Sequence, residues 1–237
     1  MYGNYYYGID WTYIVLVLPA LILSIVAQIR VKSVYKTMSA RLNTTGLTGA
    51  AAAKAVLAHY GITNVQVERV NGQLTDHFDP RSNVIRLSEG VYDSYSVAAV
   101  GIAAHEAGHA AQYAEGYAPI KLRNSIVPVA NVSSWIGIPL AFLGYFLSIE
   151  PLIYIGLALY SVIMLFHLLT LPVELNASRR ALNVIQTDRL LRQDAEYRDA
   201  RQVLTAAAMT YVASLATSLM SLLRLIIIFT GRGNRRR

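Results

Sequence analysis

Residues 97–114 read VAAVGIAAHEAGHAAQYA, with His105 and His109 four positions apart around Glu106. The run of alanine favours a helix. Four residues of helix turn through about 400°, so both imidazoles leave one face about one turn apart. A zinc ion can bridge such a pair at about 2.0–2.1 Å from each nitrogen. Glu106 is then placed to take a proton from a water that the metal activates and pass it to a leaving amine. With five His and seven Glu in 237 residues, composition alone would produce about 0.003 HExxH matches. The bland alternative is a helix whose two histidines happen to flank a glutamate.

A catalytic zinc needs a third protein ligand and an open position. His59 ends a helical stretch and reads as a surface residue, and His167 lies inside an apolar run where helix packing explains it. His77 lies in a loop-like TDHFD stretch and is a candidate for the substrate cleft or for supporting a ligand. Glu174 is the best third ligand. It closes an apolar run in LPVELNASRRA (Leu171–Ala181), and a carboxylate at a membrane boundary is costly unless paired or metal-bound. Pairing with Arg179 or Arg180 is the competing account, and residue chemistry leaves both open.

The surroundings are those of a membrane protein. Apolar residues make up 54% of the chain and charged residues 15%, against about 25% charged in soluble domains. The expected architecture is mostly α and integral to the membrane. Transmembrane helices are expected at residues 11–29, 126–149, 151–171 and 203–229. Residues 1–10 form a short non-cytoplasmic N-terminus, and residues 230–237 a basic tail. Residues 30–125 are expected to form a zincin-like α+β cytoplasmic part with a small hairpin or sheet and the HExxH helix. Residues 172–202 form a second cytoplasmic, helical segment carrying Glu174. Within the first part, Leu47–Tyr60 reads as a helix capped by Thr48 and stopped by Gly61. Val65–Val70 alternates as a strand, Asn71-Gly72 is a hairpin turn signal, and Gln73–Thr75 would return. Asn83–Leu87 is a further strand.

The net charge of +7 flanks apolar segments, so it sets membrane topology and does not form a nucleic-acid-binding stripe. Sixteen Lys and Arg lie in Arg30–Arg123 and Arg179–Arg201, against four in the tail. The excess places the first two segments in the cytoplasm, although a complete fourth crossing puts the basic tail on the wrong side. There is no cysteine, so disulfides, thiolate zinc sites and cysteine nucleophiles are excluded.

Three stretches carry a family resemblance: HEAGHAAQ (His105–Gln112), LTDHFDPRSNVIRLSEGVY (Leu74–Tyr92) and VELNASRRAL (Val173–Leu182). Together they resemble the small bacterial neutral zinc metallopeptidases called YugP-like, over nearly the whole chain. More distantly, HExxH followed by Glu-x-x-Ala-x-x-x-Ala is similar to the HtpX-like gluzincin peptidases. That resemblance implies Zn²⁺ held by His105, His109 and Glu174, and a multi-pass protein of the bacterial cell membrane with its site toward the cytoplasm. The gluzincin pattern carries Asp where this chain has Ser178, which can hydrogen-bond a zinc-bound His but brings no charge. By the same analogy, Asn83, Val84 and Ile85 would belong to an edge strand that pairs with extended substrate. Tyr211, Arg201 and Arg180 are the candidates for stabilising the oxyanion.

The expected activity is endopeptidase cleavage of membrane-associated or unfolded protein, with the lipid bilayer as partner and no nucleic acid. Any regulatory membrane partner stays unidentified. The alternatives are site-2-type cleavage within the membrane and a non-enzymatic scaffold with a structural zinc. The last would leave Glu106 without a purpose.

Overall fold

The computed structural model describes residues 11–230. The expected N-terminal stretch 1–10 and the tail residues 231–237 lie outside them. A π-helical turn, Tyr13–Val17, leads into α1 (Leu18–Ser39). Then follow α2 (Gly49–His59), β1 (Gln66–Val70), β2 (His77–Asp79), β3 (Val84–Ser88), α3 (Glu89–Tyr92) and α4 (Val97–Ala114). Three long helices complete the chain: α5 (Ala118–Leu147), α6 (Glu150–Thr187) and α7 (Asp194–Thr230). Among the described residues, four helices are long and apolar enough to cross a membrane: Tyr13–Ser39, Ala118–Leu147, Glu150–Thr187 and Asp194–Phe229.

The described residues form two compact units. One comprises residues 11–26, 128–167 and 213–230, all helical apart from the short α5–α6 turn. Its interior joins Ala141, Tyr160, Leu222, Leu225 and Phe229. Gly156 lets α5 and α6 meet, since a Cβ there would lie 2.5 Å from the backbone nitrogen of Ala141. Trp135 and Phe146 are 81% and 76% exposed, an outward apolar surface that suits lipid.

The other unit, Ala27–Val127 with Leu168–Val212, carries the mixed α/β part. Its core joins Val56 of α2, Ile85 and Leu87 of β3, Val100 and Ala107 of α4, Val184 of α6 and Leu204 of α7. Ile85 and Leu87 are fully buried, each contributing about 1.5–3 kcal/mol. Thr48 caps α2 by accepting from the Ala51 amide at 3.2 Å, and Ser96 caps α4 by accepting from the Ala99 amide at 3.1 Å. Both satisfy amides the first turn leaves unpaired.

The sheet corrects two expectations. Its order is β1-β3-β2. β1 does not form a hairpin through Asn71-Gly72: it runs parallel to β3, with Gln66 opposite Val84. Residues 71–76, the expected returning strand 73–75 among them, lie in a loop, where Gly72 and Leu74 have φ of +111° and +56°. The local turn signal is overridden because β3 is the strand whose buried face completes the core, and β1 gains more by pairing there. The expected edge strand is also central. Val84 and Ile85 in β3 have β1 on one side and β2 on the other, and Asn83 sits just before the strand at φ +52°. The sheet's two edges are β1 and β2, and β2 runs antiparallel to β3 with Phe78 opposite Ile85.

The helices also run on. α6 continues through Pro172 to Thr187, so one unbroken helix carries both the third apolar run and Glu174. The break comes at residues 188–193, before α7.

Candidate metal centre

α4 presents His105 and His109 on one face, their rings edge-to-face at 4.7 Å between centroids. α6 brings Glu174 to them. Its Oε2 lies 3.3 Å from His105 Nε2 and 3.5 Å from His109 Nε2. The three ligand atoms all fall within 4.8 Å of one another. Nitrogen and oxygen ligands at about 2.0–2.2 Å around a tetrahedral zinc stand about 3.3–3.6 Å apart. The two Glu174 spacings match that edge length and all three atoms lie within 4.8 Å, so the donor set fits zinc in its chemistry and in the reach of Glu174 to both histidines.

The close approach of α4 and α6 rests on small residues. A Cβ on Gly108 would lie 2.7 Å from the carbonyl oxygen of Ala177. Gly108 falls between the two ligand histidines and Ala177 one turn beyond Glu174, so this backbone contact sets the ligand geometry. Ala200 of α7 lies beside Gly101 at an ordinary 3.5 Å from its would-be Cβ.

Each imidazole is oriented through its other nitrogen. Ser178 Oγ is 3.1 Å from His105 Nδ1. Gln112 Oε1 is 3.0 Å from His109 Nδ1. An oxygen acceptor at Nδ1 puts the proton there and leaves Nε2 free for the metal. Gln112, fully buried, is itself held. Its Nε2 donates to the Val173 carbonyl at 2.8 Å and to Asn176 Oδ1 at 2.9 Å. Arg180 stands one step further out, donating from Nε to Asn176 Oδ1 at 2.8 Å and from Nη2 to Glu115 Oε2 at 2.7 Å. That guanidinium holds the Glu115 carboxyl below its usual pKa. Gln112 and Asn176 are absent from the sequence-derived site. The available signal was position: Gln112 is three residues past His109 and seven past His105, on the ligand face.

Glu106 is buried, and its Oε2 accepts the backbone N–H of Phe78 at 3.0 Å. Because Phe78 directs this N–H away from β3, the base is anchored to the outer edge of β2. Burial works against the His109 imidazolium, but the Glu174 and Glu106 carboxylates outweigh it and raise its pKa. The same field favours a metal cation at Nε2.

A polar cleft of about 200 Å³ borders the triad, lined by His77, Phe78, Arg123, Asn124 and Tyr211 among others. His77 is exposed and hydrogen-bonds the Thr75 carbonyl through Nδ1 at 2.7 Å. Tyr211 lines this cleft together with Glu174. Of the three oxyanion candidates, Tyr211 alone is placed on this cleft, while Arg180 is turned to Glu115 and Arg201 lines a separate groove between α6 and α7. Arg123 and Asn124 are cleft residues that sequence reasoning missed. Asn83, Val84 and Ile85 are not brought to it. His59 lies 2.9 Å from Asp188, away from the triad.

Two carboxylates shape the approach to β2. Asp76 accepts from the Ser88 amide and hydroxyl at 2.7 and 3.0 Å, and burial pushes its carboxyl above the usual range. Asp79 accepts from Ser82, Arg86 and the Arg81 amide at 2.7, 3.0 and 3.0 Å, closing the β2–β3 turn. Ser82 and Arg86 hold its carboxyl far below the usual range.

The sequence family described as "Putative neutral zinc metallopeptidase" matches residues 13–230. The "Putative membrane protease YugP" of Bacillus subtilis (strain 168) is 44% identical over 218 residues, covering 92% of this chain and 96% of that protein. No solved structure matches the chain.

Proposed function

The chain belongs to this neutral zinc metallopeptidase family, and on that premise we propose that it is an HExxH, gluzincin-type endopeptidase with a zincin-like catalytic part. Its substrates are membrane-associated or unfolded proteins at the cytoplasmic face of a bacterial cell membrane. The observation that carries this reading is the triad itself: His105, His109 and Glu174 at zinc-ligand spacing, with Glu106 buried beside them.

His105, His109 and Glu174 would hold the zinc, which supplies the Lewis acidity that lets water ionise near neutral pH and polarises the scissile carbonyl. The chain's own groups do the rest. Glu106 accepts the proton of the attacking water as its oxygen bonds to the carbonyl carbon. It then delivers that proton to the amide nitrogen as the C–N bond breaks. Phe78 N–H fixes Oε2 of Glu106 and so leaves Oε1 for this transfer. Tyr211 is the cleft hydroxyl that can donate to the oxyanion. The outer edge of β2, apart from the Phe78 N–H that Glu106 takes, offers extended peptide a partner, a role that passes from β3 to its neighbour.

Orientation rests on charge. Sixteen Lys and Arg lie in the segments that include the triad, against four in the tail, which favours a cytoplasmic site. Cleavage at the membrane face is favoured over cleavage within the membrane because α4 is not among the four membrane-length helices and packs on α2 and the sheet.

The test is purification in detergent, zinc analysis and digestion of an unfolded protein. One zinc per chain, chelator-sensitive cleavage and an inactive Glu106→Gln variant are expected. Equal cleavage by wild type and Glu106→Gln would sink the assignment.

A further inference from the structure

The space around the triad has a second, apolar arm. A cavity of about 160 Å³ opens beside His105, Glu106 and Glu174. Val31 of α1, Ile102 of α4 and Val203, Leu204, Ala207 and Ala208 of α7 supply its walls. Its size is informative, because an apolar cavity of about 150 Å³ takes up a benzene molecule and stays dry otherwise. Two consecutive alanines on α7 leave this room.

The geometry points to a specificity pocket: it receives one large apolar side chain, of leucine or phenylalanine size, from a residue adjoining the scissile bond. This inference rests on the peptidase reading and adds the substrate class. His105, Glu106 and Glu174 line the same cavity as the apolar wall, so a side chain seated in it brings its backbone beside the reacting centre.

The carboxylates that line it do not make it a pocket for lysine or arginine. Glu174 faces the two ligand histidines. Glu106 Oε2 is taken by Phe78 N–H. Asp76 is already bonded by the Ser88 amide and hydroxyl. Against the wall of Val31, Ile102, Val203, Leu204, Ala207 and Ala208, an ammonium would exchange water for hydrocarbon, which costs several kcal/mol for an unpaired charge. A leucine or phenylalanine gains from the same exchange.

The experiment uses full-length protein in detergent with a peptide series that varies one residue at a time on each side of the cleaved bond. At one flanking position, Leu and Phe are expected to exceed Gly in kcat/KM by about 10–100-fold, the scale on which apolar pockets discriminate. Ala208→Phe fills the cavity and should reverse that order in favour of Gly and Ala. Ala207→Leu does the same from the neighbouring position and decides the matter if Ala208→Phe has a lowered Tm. Binding is measured alongside, with Glu106→Gln and fluorescein-labelled Leu and Gly peptides, where no turnover is needed. Leu-selective binding that Ala207→Leu or Ala208→Phe removes, alongside a zinc-loaded wild type that cleaves none of the peptides, leaves the pocket standing and sinks the peptidase reading. Flat or undetectable binding, a preference for Lys or Asp, or selectivity unchanged in filled variants of wild-type Tm overturns the pocket.

Discussion

Gly108, between the two histidines of α4, meets Ala177 of α6 so closely that a Cβ on the glycine would stand 2.7 Å from the alanine's carbonyl oxygen. Backbone lies on both sides of this contact, so neither side chain can rotate to relieve a larger residue. Helix separation here fixes the separation of the imidazoles from Glu174, which ties local sterics to the metal site.

Gly108→Ala should therefore separate α4 from α6 and weaken zinc binding, even though no ligand is altered. Overpacking of this kind costs about 1–3 kcal/mol. The expected result is a lowered Tm together with a lowered zinc content after dialysis. Wild-type zinc retention in Gly108→Ala would refute the link between the helix crossing and the ligand geometry.

Gln112→Leu keeps the volume of a buried side chain but removes the acceptor at His109 Nδ1 and the donor to Asn176. Outer partners of metal-bound histidines are worth about 10–100-fold in metal affinity or activity. A competition titration against a zinc chelator should show a drop in that range. Ser178→Ala should give a smaller drop, because a single hydroxyl contact is lost.

Glu174→Ala takes away a ligand and leaves two buried imidazoles without their carboxylate. Its loss of zinc affinity should exceed that of Gln112→Leu. If both variants bind zinc as wild type does, the third ligand lies elsewhere.

Asp79 carries the pH prediction. Its carboxyl is held below the ordinary value by Ser82 and Arg86, so the folded protein binds a proton there less readily than the unfolded chain. The stabilisation is present above the unfolded pKa of about 3.9 and is lost as pH falls through the folded value. Asp79→Asn should therefore lower Tm at neutral pH, with the gap to wild type closing progressively below about pH 4. A gap independent of pH across that window would show that the carboxylate's charge is not what matters.

Sequence alone carried the parts of the site that are local. The i, i+4 spacing of His105 and His109 dictates a shared helix face whatever the rest of the chain does. Thr48 caps through the amide three residues on. The sheet was misread because its order is non-local. Asn71-Gly72 is a good turn in isolation, yet β1 pairs with a strand eighteen positions along, Gln66 with Val84. The Gln112–Asn176 bond escaped notice for a related reason: an amide on α4 reveals its role only when α6 is set against it. Glu174 was the intermediate case. A carboxylate ending an apolar run invites a partner, and residue chemistry could not choose between an arginine and a metal.

The hydrogen bond from Phe78 N–H to Glu106 decides which inert form of the protein is worth making. Alanine at position 106 would abolish proton transfer and also cut the sheet edge loose, so lost peptide binding in that variant would be ambiguous. Glutamine keeps a carbonyl oxygen for the Phe78 amide and presents its –NH₂ where the reactive oxygen stood. It yields a catalytically silent protein of native shape, suited to holding uncut client proteins long enough for mass spectrometry to identify them.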